Sequence, residues 1–130
     1  MATDDLWGEL PDVEEIKTPF VLLKEQAELL TEKTGGLLVG EVSQRLVNEG
    51  FQERFQCVLR VVIPTLNNYN YTILSLSYGI EVYPLNLTAA NKPPVECSDE
   101  DEFKKGLGNI LKSQKTQDVI SKLLAHVRSA

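Results

Sequence analysis

One histidine, one tryptophan and two cysteines are all that this chain of 130 residues holds of those types. Cys57, Cys97 and His126 fall short of a standard four-ligand zinc site unless carboxylates join them from elsewhere. A serine or cysteine nucleophile would need a base, and His126 is the sole imidazole. It stands near the end of the last predicted helix, beside an apolar stripe. A charged ring there is favoured by the helix C-terminus, which points to a structural role. Glycine-rich phosphate loops are also missing. Gly106-Leu107-Gly108 lacks the third glycine and lies inside a helical pattern rather than after a strand, which excludes dinucleotide binding. No apolar run approaches the roughly 20 residues that span a bilayer.

Positive charge is in deficit as well. Thirteen lysines and arginines face nineteen carboxylates, for a net charge of −6 and a pI near 4.8. A phosphate backbone and an anionic membrane surface are both repelled, so neither nucleic acid nor membrane is expected as a partner. A basic protein surface would be steered inward. The opening MATDDLWGELPDVEE has no basic n-region and no apolar h-region, so no secretory signal is expected. The expected location is cytoplasmic, with both cysteines reduced.

What is present is ordinary globular material, 42% apolar and 25% charged. Residues 1–17 form an acidic segment with Leu6, Trp7, Leu10, Val13 and Ile16 spaced along it; Trp7 is expected to dock on the body or on a neighbour. A single α+β domain is expected over 18–130. Thr18-Pro19 starts its first helix: the threonine accepts from exposed N–H groups and the proline fits the first helical position. Leu22, Leu23, Gln26, Ala27, Leu29 and Leu30 recur at helical spacing.

Period two then takes over. In 37–47, Leu38, Gly40, Val42 and Leu46 share one face, and Val39, Glu41, Ser43 and Arg45 the other. Asn48-Glu49-Gly50 supplies a turn. In 53–63, Phe55, Cys57, Leu59, Val61 and Ile63 face in, while Val58 and Val62 interrupt the polar side. In 71–78, Thr72, Leu74, Leu76 and Tyr78 are expected to face in, and Tyr71, Ile73, Ser75 and Ser77 out. Gly79 is a candidate bulge or bend, and Ile80, Val82, Leu85 and Leu87 are expected to continue extended, with Pro84 marking an edge or an end. Three or four strands joined by short turns make an antiparallel meander, because parallel pairing needs crossovers that do not fit here. TAANKPPVEC reads as a loop. Ser98 is expected to cap a second helix with Asp99, Glu100, Asp101 and Glu102 in its first turn, where carboxylates suit the helix dipole. Phe103, Leu107, Ile110 and Leu111 form its inner stripe. A last helix over 116–128 presents Val119, Ile120, Leu123, Leu124 and Val127.

The architecture is thus an N-terminal helix, an antiparallel meander, then two C-terminal helices packed on the sheet. Between the second and third strands runs TLNNYNYT. Asn67 and Asn68 tolerate the left-handed backbone that tight connections need, and Tyr69 begins a strand. The same residues could also form a polar-aromatic binding tip.

Two features bear on function. The acidic ECSDEDE lacks the alternating spacing and glycine turn of a calcium loop. Cys97 stands before a helix start, which favours a thiolate, but neighbouring carboxylates oppose it. No catalytic residue, metal ligand or cofactor is assigned. The second sheet face, however, carries more apolar groups than a water-washed face should. Val39, Val58, Val62 and Ile73 on that face, with Asn67, Asn68, Tyr69 and Tyr71, are the candidate partner-binding residues, and self-association as a homodimer is the commonest way to cover such a face. In size, acidity and a sheet with amphipathic helices, the chain resembles in general character the bacterial secretion chaperones and toxin-immunity proteins. That resemblance implies a protein partner and no catalysis, and assigns no residue. The leading expectation is a non-enzymatic protein-interaction module. Its alternative is a small-ligand-binding domain with a pocket between sheet and helices lined by Tyr71 or Tyr78. An enzyme built on Glu41 and Glu81 is third.

Overall fold

Helix α1, Pro19–Lys33, begins where Thr18-Pro19 predicts it. The Thr18 hydroxyl accepts from the Val21 N–H at 3.3 Å. Leu22, Leu23 and Ala27 are buried, while Leu29, expected in the same stripe, lies on the exposed side. The computed structural model that carries this helix describes residues 3–11, 17–90 and 92–129.

Five strands follow, β1 (Val39–Glu49), β2 (Gln52–Ile63), β3 (Tyr69–Tyr78), β4 (Leu85–Ala89) and β5 (Val95–Cys97). They form one antiparallel sheet in sequence order. The fifth goes beyond the three or four expected: Val95–Cys97 pairs with β4 out of a stretch that reads as a proline-rich loop. The β1–β2 turn is Gly50-Phe51 rather than 48–50, with Gly50 at φ 68°. Glycine at the first of two turn residues is what a type II′ hairpin requires. The β2–β3 connection is a single 3₁₀ turn, Pro64–Leu66, followed by Asn67 at φ 56° and Asn68 at φ 58°. The two asparagines therefore serve the tight connection that their backbone tolerance predicts.

Helices α2 (Glu100–Leu111) and α3 (Gln114–Ser129) close the chain. The cap of α2 is Asp99, one residue after the expected Ser98. Its carboxylate accepts from the Glu102 N–H at 2.8 Å. Glu102 in turn accepts from the Ser98 N–H at 3.0 Å. The aspartate wins over the serine because its placement lets Glu102 reach back and satisfy a second free donor. Asp99→Ala should cost about 1 kcal/mol of stability, read by chemical denaturation, whereas Ser98→Ala should change it little.

All three helices lie on one face of the sheet. The buried strand residues Leu38, Cys57, Leu59, Val61, Ile63, Leu74, Leu76, Tyr78, Leu85, Leu87 and Cys97 meet Leu23 of α1 and Phe103 of α2 there. Gly40 lets α1 approach so closely that its missing side chain would collide with the Ala27 backbone. The stripe of α3 is only half-buried, and none of its residues is in the core proper. Among the described residues no helix is long and apolar enough to cross a membrane.

Candidate functional site

The other face of the sheet has no helix on it among the described residues. Its register can be read across the strands. Val39 pairs with Val62, Glu41 with Arg60, Ser43 with Val58, and Arg45 with Gln56. Beyond β2 come Asn70 opposite Val62, Thr72 opposite Arg60, Ser75 opposite Val58 and Ser77 opposite Gln56. Asn86 and Thr88 of β4 extend the same face. None of these residues is buried. Val39, Val58 and Val62 are half-buried.

Two residues expected on this face are on the opposite one. The β2–β3 register shifts between Leu59 and Arg60: Leu59 pairs with Leu74, but Arg60 pairs with Thr72. Ile73 is the extra residue of a β-bulge, and a bulge reverses the side-chain alternation beyond it. Tyr71 therefore pairs with the buried Val61. Ile73 itself is 7% exposed, in the core. Both line a small cavity of about 30 Å³ beneath the α2–α3 junction, with Ile110 and Thr116 across from them. A space that size holds a water molecule, not a metabolite. Tyr78 is buried too; its hydroxyl accepts from the Gln44 amide at 2.8 Å, and its ring stacks on Phe55 at 5.3 Å.

The open face is thus less apolar than strict alternation predicts, and it has a polar element that the alternation alone does not reveal. Arg45, Arg54 and Arg60, three of the chain's four arginines, all project from it. Arg54 Nε lies 3.2 Å from a Glu49 carboxylate oxygen. Arg45 Nε donates to Gln56 Oε1 at 2.9 Å, and an Arg60 Nη donates to Ser43 Oγ at 3.1 Å. Among the described residues neither Arg45 nor Arg60 meets a carboxylate within ion-pair distance. The signal was available: these arginines occupy the outward positions of the alternation, and the hairpin turn brings them together. At one end of the face Val39, Val62 and Asn70 adjoin the tip with Asn67 and Asn68; Tyr69, 54% exposed, pairs with the buried Ile63 and so belongs with Tyr71 to the helix side. Val39, Val58, Val62, Asn67 and Asn68 are brought together; Tyr69, Tyr71 and Ile73 are not part of the group.

The remaining candidates do not form reactive sites. Burial pushes the Cys57 thiol up to about 11, against hydrogen bonds with Tyr78 and Gln44 that pull it down. Cys97 is 1% exposed, and burial, then Glu102 and Asp99, raise its thiol rather than activate it. The exposed His126 donates from Nδ1 to the Lys122 carbonyl at 2.7 Å, within its own helix. Glu41 lies exposed on β1, while Glu81 lies in the β3–β4 turn. Among the described residues no cluster of three or more histidines, cysteines or carboxylates could hold a metal ion.

Of the two places expected for Trp7, the body and a neighbour, the structure bears on the first. Trp7 does not dock on the body: it is 81% exposed, and Leu6 and Leu10 are exposed with it. Its backbone N–H donates to an Asp5 carboxylate oxygen at 2.9 Å. Val13 and Ile16 lie outside the described residues. Comparison with protein-family models, with curated proteins and with solved structures finds no match for this chain.

Proposed function

We propose that the chain is a non-enzymatic protein-interaction module that docks another protein on the uncovered face of its sheet. One observation carries this reading: three helices share one face, while the opposite face, with Val39, Val58 and Val62 in it, has no cover among the described residues. The valines supply small apolar contacts and the flanking Ser43, Thr72 and Ser75 adaptable hydrogen bonds. Arg45 and Arg60 would take carboxylates of the partner in the planar, bidentate fashion that favours arginine at interfaces. Asn67 and Asn68 extend the surface at the hairpin tip. The mixed character of the face matches protein interfaces, which as a whole are no more apolar than other surface. The alternative, a small-ligand site, lacks a comparable observation. The space beside Tyr71 is too small, and the larger hollows, up to about 470 Å³ beside Glu53 and Tyr83, stand open at the surface.

The test compares Val58→Lys with Glu28→Lys, which sits on the exposed side of α1. Val58→Lys should cost at most about 1 kcal/mol of stability, the span of strand propensities. It should abolish retention of a bound protein in affinity capture, while Glu28→Lys retains it. A protein held equally by both variants, or none held by the wild type, contradicts the reading.

A further inference from the structure

The two edges of the sheet are unlike. β5 is three residues long and follows Pro93-Pro94, a short edge of the kind that resists pairing. β1 is eleven residues long and has no proline, lysine or bulge to blunt it. Its backbone polarity follows from the hairpin. In a two-residue turn the flanking Glu49 and Gln52 form a hydrogen-bonded pair. Alternation then aims the amides of the odd-numbered residues at β2 and those of Val42, Gln44, Leu46 and Asn48 outward. The Gly40 N–H agrees, since it turns away from β2 to Thr31 Oγ1 at 3.0 Å.

We infer that this edge pairs antiparallel with β1 of a second copy, with Ser43 on the two-fold axis, joining two five-stranded sheets into one of ten. Of the registers that keep most of the strand paired, this one sets opposite charges against each other; centring on Val47 also opposes Arg45 to Glu49 but pairs only residues 45–49. On the open face Glu41 falls opposite Arg45 of the second copy, and Val39 opposite Val47, each twice by symmetry. Outward-pointing amides meet as Val42 with Gln44, twice by symmetry; the Gly40 N–H is already taken by Thr31 Oγ1, so at that position the Gly40 carbonyl alone is left to accept, from the Leu46 N–H of the second copy. A shift by two residues in either direction sets Glu41 against Val47 or Ser43. A shift by four sets Glu41 against itself, or Arg45 against itself, and like charges directly opposite are unfavourable. Neither Glu41 nor Arg45 has an ion pair within its own chain among the described residues. Leu46, 59% exposed on the helix side, gains cover beside Gly40 and α1 of the other copy. The pairing occupies Val39 and Arg45 at the β1 margin of the docking face and leaves Val58, Arg60 and Val62 uncovered, so Val58→Lys and the charge reversals test the two readings separately.

The test is the mass in solution, by sedimentation or light scattering. Wild type should have twice the 14.5 kDa of one chain. Glu41→Arg and Arg45→Glu alone should each weaken association by roughly tenfold or more, since two attractions become two repulsions. An equimolar mixture of the two variants should restore the dimer, because each then supplies the charge the other lacks. Ser43→Cys should form a disulfide between copies on mild oxidation, as directly opposed residues permit, and Ser75→Cys should not. A wild-type monomer, single variants that still dimerise, or a mixture that stays monomeric would overturn the pairing. A dimer lost in Val58→Lys but indifferent to both charge reversals would overturn it too, while leaving the docking face in place.

Discussion

Gly40→Ala should lower the stability of the fold by about 3 kcal/mol, the upper end of the cost of overpacking a well-filled core. The cause is space rather than backbone angle. A Cβ on Gly40 would lie 2.6 Å from the Ala27 Cα and 2.8 Å from its carbonyl carbon, and would overlap the carbonyl oxygen as well. These are backbone atoms, so no side chain can swing aside. The helix must lift from the sheet. Lifting it loosens Leu22, Leu23 and Ala27 from their places and breaks the Thr31 hydrogen bond to the Gly40 amide. Against a total of roughly 5–15 kcal/mol, such a loss lowers the melting temperature by about 10 °C. Gly108→Ala is the control, because nothing lies within 4 Å of a Cβ there. In the helical interior it should stabilise by up to about 1 kcal/mol. Calorimetry on the two variants should give opposite signs. Equal shifts would show that α1 does not sit on Gly40.

Phe103→Ala should cost about 3–5 kcal/mol, the largest effect of any single core truncation here. Phe103 heads the fully buried side chains by volume and has no exposed area. It ties α2 to the sheet, and β4 and β5 contribute only five and three residues to hold that side together. Part of the loss should appear locally. With α2 loosened, Cys97 should react with a thiol reagent before the chain unfolds globally, while Cys57 under α1 stays silent. Denaturant titration gives the total and thiol labelling gives the local share. A cost under about 1 kcal/mol, below the range for truncating a buried aromatic ring, would mean that α2 packs elsewhere.

Most of the architecture was legible in the sequence because its signals are local. Thr18-Pro19 fixes the start of α1, the alternation through 53–63 assigns every face of β2, and Asn67-Asn68 marks a connection that only certain residues tolerate. The failures share a different origin. Thr72-Ile73-Leu74 reads as unbroken alternation, yet the strand carries a bulge there, set by pairing with Leu59 and Arg60 rather than by its own residues. That one extra residue moves Tyr71 and Ile73 from the open face to the core, and much of the apolar character expected of the site goes with them. β5 escaped notice because three residues after two prolines have too short a pattern to show a period; pairing with Leu85–Leu87 creates the strand. The arginine group was legible by face, since the alternation sets Arg45, Arg54 and Arg60 outward, and the register from the turn at Gly50-Phe51 is what brings them side by side. Trp7 remains exposed although its size and rarity predict cover, and nothing in the described residues explains it.

The central claim is that one face of this sheet is left for another chain. Ser75→Cys places a thiol at the middle of that face with almost no change in volume, alongside two native cysteines that sit under the helices. In dilute native protein, the introduced thiol should react with a bulky polar maleimide at the rate of an accessible thiol, while Cys57 and Cys97 react only after unfolding. A thiol at position 75 as unreactive as Cys57 in a lone chain would contradict the claim.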